Sequence, residues 1–177
     1  MPRRSFRSTR TAISIDESGQ LLSIAGMTFS FQRYRPAATG LVDKLPTSLG
    51  TLPLFARKSD VILPVDEAEA FWIGICWDRL DVTAVCSALL RDGRLVTLHG
   101  TDRILGVPME TGRIASLTRV MTAAAPGVMS VALNVETDVR NLSVVVRLSS
   151  YETFESEAGF RPKPLDPDAG YKGHRLP

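Results

Sequence analysis

LPTSLGTLPLFARKSDVILPVDEAEAFWIGICW, residues Leu45–Trp77, holds three prolines (Pro46, Pro53, Pro64) and Gly50, which cut it into short extended pieces. It ends in Phe71-Trp72-Ile73-Gly74-Ile75-Cys76-Trp77, the densest aromatic run in the chain, with acids before and after it. A segment this apolar is buried, and seven residues is strand length rather than helix length. It reads as a central strand on which the rest of the molecule packs.

Outward from that strand the chain keeps the period of two. Met27, Phe29 and Phe31 face one way, and Thr28, Ser30, Gln32 and Tyr34 the other, until Pro36 ends the run. Before it, Thr11–Ile15 and Leu21–Ile24 flank a turn at Asp16–Gly19. Val61–Leu63 is a short strand closed by Pro64, and Asp66–Ala70 supports one helical turn at most. Asp92-Gly93, between the apolar runs Val82–Leu90 and Leu95–Leu98, predicts a two-residue type I′ hairpin. Further strands are expected at Arg103–Val107 and Arg113–Met121. A second hairpin joins Val128–Val135 to Leu142–Leu148, with Leu142, Val144, Val146 and Leu148 toward the core. From Glu155 onward Pro162, Pro164, Pro167 and Pro177, with Gly159, Gly170 and Gly173, predict an extended tail that could drape over the domain or dock on a neighbour through Phe160, Leu165 and Tyr171. Eight to ten short strands without a long helix make an all-β protein, an antiparallel β-sandwich or jelly roll. It spans residues 11–154, between a basic arm (1–10) and the tail (155–177).

Size and composition agree with one folded domain: 177 residues, 44% hydrophobic and 23% charged. The net charge of +2 is concentrated in Arg3, Arg4, Arg7 and Arg10. The ordinary reading of this arm is a solvated terminus, and the functional one is contact with an anionic partner such as nucleic acid or an acidic protein. Arg3-Arg4 lacks the apolar core of an export signal, and no run is long enough to span a bilayer. A cytoplasmic location is expected, with Cys76 and Cys86 as buried free thiols, or else a cross-strand disulfide.

Chemistry finds few candidates. Only two histidines are present, His99 and His174. His99 and Asp102, in His99-Gly100-Thr101-Asp102, form the one acid–base or metal pair on offer, and its ordinary reading is a turn histidine beside a capping aspartate. Asp66, Glu67, Glu69, Asp78 and Asp81 flank the aromatic strand. Asp78 and Asp81 could supply two ligands to a hard cation, but the ordinary reading of all five is solvated acids that guard a strand against aggregation. Trp72 and Trp77 lie on opposite faces, so one suits the core and the other a sugar-stacking platform or a subunit anchor. Arg91, Arg94, Arg103, Arg113 and Arg119 are scattered surface arginines or an anion-binding face. No Gly-rich phosphate loop or βαβ alternation is present, and no cofactor is expected.

Leu45-Pro46-Thr47-Ser48-Leu49-Gly50-Thr51-Leu52-Pro53-Leu54, followed by Leu63-Pro64-Val65-Asp66-Glu67-Ala68-Glu69-Ala70-Phe71-Trp72, resembles a family of uncharacterised bacterial proteins with an LPxGLGxFPL…PMYxxEALW pattern. Val65 and Phe71 depart from that pattern, and the resemblance implies no activity. The segment Gly74–Asp78 with Leu80-Asp81 and the following hairpin is faintly similar to the tellurium-resistance calcium-binding sandwich proteins, with a shorter spacing between its acidic elements.

The expectation is a non-catalytic sandwich that works by binding or assembly. It would be a homo-oligomer, including a shell- or virion-type subunit whose terminal arms lock neighbours together. The alternatives are a small hydrolase-like or metal-dependent enzyme built on His99 and Asp102, and a carbohydrate-binding module using Trp72 or Trp77.

Overall fold

The structure, a computed structural model, describes residues 12–58, 60–77, 81–166 and 168. The basic arm with Arg3, Arg4, Arg7 and Arg10, together with Asp78, Tyr171 and His174, lies outside the described residues. In chain order the elements are β1 (Ile13–Ile15), β2 (Leu21–Ile24), β3 (Met27–Tyr34), β4 (Phe55–Arg57), β5 (Asp60–Pro64), β6 (Ala70–Trp77), β7 (Thr83–Leu90), β8 (Leu95–Leu98), β9 (Arg103–Ile104), β10 (Gly106–Pro108), β11 (Ile114–Ser116), β12 (Val128–Glu136), β13 (Asn141–Ser149) and the helix α1 (Tyr151–Ala158).

These strands form an all-β, sandwich-like molecule. One sheet has the order β1-β2-β3-β6-β9 and the other β4-β5-β13-β12-β7-β8, with β10 and β11 as a separate two-stranded ribbon. The aromatic strand β6 pairs antiparallel with β3 along its length, from Met27 opposite Trp77 to Tyr34 opposite Ala70. Alternation sends Phe29, Phe31, Phe71, Ile73 and Ile75 inward, where they are buried. Phe31 and Phe71 meet edge to face at 5.9 Å between ring centres. The second sheet answers with Cys86, Ala88, Leu133, Val135, Val144, Val146 and Leu148.

The proline-rich connection passes the chain from one sheet to the other. Leu49, Gly50 and Leu52 hydrogen-bond along the half of β3 that β2 leaves open, and β4 then starts on the far sheet. There β5 lies parallel to β13, so the sheet is mixed rather than purely antiparallel. The parallel pairing explains the unbroken run Val61-Ile62-Leu63, because a strand covered on both faces has no polar face to show. Val61 and Leu63 enter the inter-sheet core, while Ile62 is buried on the other face, where α1 packs.

Three local expectations are corrected. The β7–β8 turn closes with Leu90 and Arg94 as the last pair, leaving Arg91, Asp92 and Gly93 in the loop. Only Gly93 has positive φ (87°), whereas a type I′ turn needs it at two consecutive residues. The loop is a three-residue turn with a glycine bulge, and the Asp92 carboxylate holds it by accepting from the Arg94 N–H. Residues Glu155–Ala158 are helical rather than extended. Ser150 caps α1 by accepting from the Thr153 N–H, and Gly159 ends it in the left-handed conformation. Finally, Cys76 is exposed on the outer side of β6 while Cys86 faces the core from the other sheet, so both are free thiols.

Candidate functional site

Candidate regions of three kinds are present: an apolar cleft at one end of the sandwich, a buried ionic cluster at the other end of β3, and the outer face of the six-stranded sheet.

The cleft arises because β6 ends, β7 begins, β8 ends and β9 begins at the same end of the sandwich. Its volume is about 280 Å³, and its walls are Met27, Ile75, Trp77, Val82, Ala84, Cys86, Leu98 and Ile104, with Thr83, Gly100 and Thr101 supplying the polar atoms. Among the described residues, no lining side chain carries a carboxylate, ammonium or guanidinium. Burial in this wall pushes the Cys86 thiol up to about 11, so it is a neutral, weak nucleophile.

His99 and Asp102 flank the cleft in sequence without lining it. Both are exposed, no hydrogen bond joins them, and the Asp102 carboxylate instead lies 3.4 Å from the Arg103 guanidinium. Asp81 is exposed as well, and among the described residues no three His, Cys, Asp or Glu side chains converge as a metal site. The tryptophans divide as their spacing requires. Trp77 turns inward and forms part of the cleft. Trp72 packs on the outer face against the cluster of Tyr34, Val42 and Ala70, which Leu105 and Ile114 also flank, and its buried indole N–H has no acceptor among the described residues. The arginines are engaged with neighbours: Arg94 with Asp92, Arg103 with Asp102, Arg113 with Asp43, and Arg119 with Glu67 and the Val65 carbonyl. Arg91 donates to the Arg119 carbonyl.

Glu69 is not the solvated acid that its sequence neighbours suggest, being 1% exposed. Its carboxylate accepts from the Tyr151 hydroxyl at 2.6 Å and from the Asp66 N–H at 3.3 Å, with the Arg33 guanidinium at 3.5 Å. Arg33 also donates to the Lys163 carbonyl at 2.7 Å. The cluster therefore joins β3, the approach to β6, the start of α1 and the segment that follows the helix. Burial raises the Glu69 carboxyl above its ordinary value, while the Tyr151 hydroxyl, the Asp66 N–H and the Arg33 charge pull it back. The same burial and the adjacent carboxylate raise the Tyr151 phenol. With every oxygen committed to the protein, the group is a clasp for the C-terminal segment. Arg33 and Tyr151 lie 118 residues apart, which is why local sequence reading does not find it.

The outer face of the six-stranded sheet divides in two. Over β4 and β5 it is covered by α1, whose Phe154 is fully buried against Phe55 and Phe160. Arg147 closes this border with Asp60 and Glu157. Across β13, β12, β7 and β8 the face is bare among the described residues. Its cross-strand rows are Val145-Ala132-Ser87-Thr97 and Ser143-Asn134-Val85, with Ser130-Leu89-Leu95 continuing from Arg147. Charge appears only at the ends, as Glu136 and Arg147. Val85 is 55% exposed, Leu95 69% and Val145 41%. The sequence does not single these residues out, because the face becomes continuous only when β7 lies beside β12.

No helix among the described residues is long and apolar enough to cross a membrane. Comparison with protein-family models, with curated proteins and with solved structures finds no match.

Proposed function

We propose that this protein is a non-catalytic β-sandwich subunit that works by self-assembly, and that the bare face of β13-β12-β7-β8 receives the same face of a second copy. The observation that carries this reading is the missing charge. Nearly a quarter of the residues are Asp, Glu, Lys or Arg, 23% of the chain, yet none stands in the centre of this face. Ordinary solvated sheet faces carry charge, whereas interface centres are depleted of it.

A second copy is the occupant that the chemistry favours. An uncharged surface is its own electrostatic complement, so a two-fold, face-to-face contact sets no like charges against each other. The small side chains Ser87, Ala132, Ser143 and Thr97 let two sheets approach to about 10 Å, the usual spacing of packed sheets. Val85, Leu89, Leu95 and Val145 provide the apolar area. The chain already covers the other half of this face with its own helix, and the contact would complete the covering. In this reading the basic arm, with Arg3, Arg4, Arg7 and Arg10, extends the subunit contact or meets an anionic partner.

The test is Ala132→Glu, at the middle of the face. Two-fold packing brings two such carboxylates together in a desolvated centre, and like-charge contact of this kind costs several kcal/mol, about a hundredfold or more in dissociation constant. Sedimentation velocity should show dissociation by that factor with the circular dichroism spectrum retained. A folded variant that associates as wild type overturns the proposal.

A further inference from the structure

We infer that the apolar cleft at the end of the sandwich is a binding site for a small, neutral, planar aromatic molecule of about two fused rings. An apolar cavity of about 150 Å³ holds one benzene ring, so this cleft, at about 280 Å³, has room for a bicyclic compound. It is also close to the lower end of the range for ligand pockets. The walls set the class. Trp77 and Met27, cross-strand partners on β6 and β3, put an aromatic face beside a flexible thioether that adjusts to a flat ring. Ile75, Ala84, Cys86, Leu98 and Ile104 supply the rest of the apolar surface.

Polarity excludes the competing classes. A sugar needs a donor or acceptor for most of its hydroxyls, and among the described residues the lining offers the Thr83 and Thr101 hydroxyls beside backbone groups and the Cys86 thiol. Among the described residues the lining offers a charged ligand no counter-charge, and entry without one is costly in an apolar site. One polar substituent, directed at Thr101 or Thr83 on the rim, is what the cleft can satisfy. The rim is fixed by Gly100, where a Cβ would lie 1.9 Å from the Arg103 carbonyl oxygen, so the loop can close this tightly only on glycine. The site is distinct from the bare sheet face, and the two proposals stand or fall separately.

The experiment uses the full chain and three probes: 2-naphthol, naphthalene-2-sulfonate and glucose. Binding is read from the Met27 methyl resonance in methyl-labelled wild type, and from Trp77 emission in Trp72→Phe, which leaves Trp77 as the sole tryptophan. The expected result is a saturable, one-to-one response to 2-naphthol, at least tenfold weaker binding of the sulfonate and none of glucose. Ala84→Leu, which adds bulk to the cleft wall, should weaken 2-naphthol binding at least tenfold. No Met27 shift with 2-naphthol, equal binding of the sulfonate, binding of glucose instead, or unchanged 2-naphthol binding by folded Ala84→Leu would each overturn the inference.

Discussion

Glu69 is the residue on which the C-terminal segment turns. A buried carboxyl whose folded value is raised keeps its proton longer in the folded chain than in the unfolded one. Its contribution to stability is therefore greatest in acid and declines as pH rises from the ordinary value of 4.5 toward the raised folded value. The stability of wild type minus that of Glu69→Gln, measured by urea unfolding, should fall through this window and level off above it. A difference that grows with pH would contradict the assignment. Removing the carboxyl outright leaves Arg33 buried with its charge less well paired, so Glu69→Ala should cost about 3 kcal/mol. The two thiols give a second residue-scale check. Exposed Cys76 should be modified by a neutral alkylating reagent within minutes at pH 8, while Cys86, its thiol held at about 11 and 2% exposed in the cleft wall, reacts far more slowly. Equal native reactivity would place Cys86 elsewhere than the core.

At the scale of elements, the strands were legible wherever alternation was clean. Met27–Tyr34 and Leu142–Leu148 announce their faces residue by residue, and the structure follows them. Val61-Ile62-Leu63 marks a strand but not its cover, since periodicity cannot say what packs on the second face. The helix was the clear omission. Only Tyr151 and Phe154 on it are buried, too few to impose a helical period, yet Ser150 and Gly159 bracket it as a cap pair and were the signal available. The Asp92-Gly93 turn shows a different limit: the dipeptide suits both a two-residue and a three-residue loop, and strand register chooses between them. Phe154 is the helix's anchor, and Phe154→Ala should destabilise the fold by about 3–4 kcal/mol. Amide exchange should speed up in α1 and β5 before it does in β12. Uniform acceleration across both sheets would show that the helix is part of the main core rather than a cover on its edge.

For the whole molecule, what the sequence could not reveal is what only topology creates. The cleft needs the ends of β6, β7, β8 and β9 to coincide, and the charge-free face needs β13, β12, β7 and β8 to lie side by side. Neither is encoded in a local motif, whereas His99-Gly100-Thr101-Asp102, which looks like one, leaves His99 and Asp102 exposed with no hydrogen bond between them. The proposed assembly rests on the bare face being an interface between copies. Sedimentation equilibrium on the full chain, from submicromolar to tens of micromolar, tests it most directly. An interface between copies gives the mass of an assembly of two or more chains that dissociates on dilution, and a single-chain mass at every concentration overturns it.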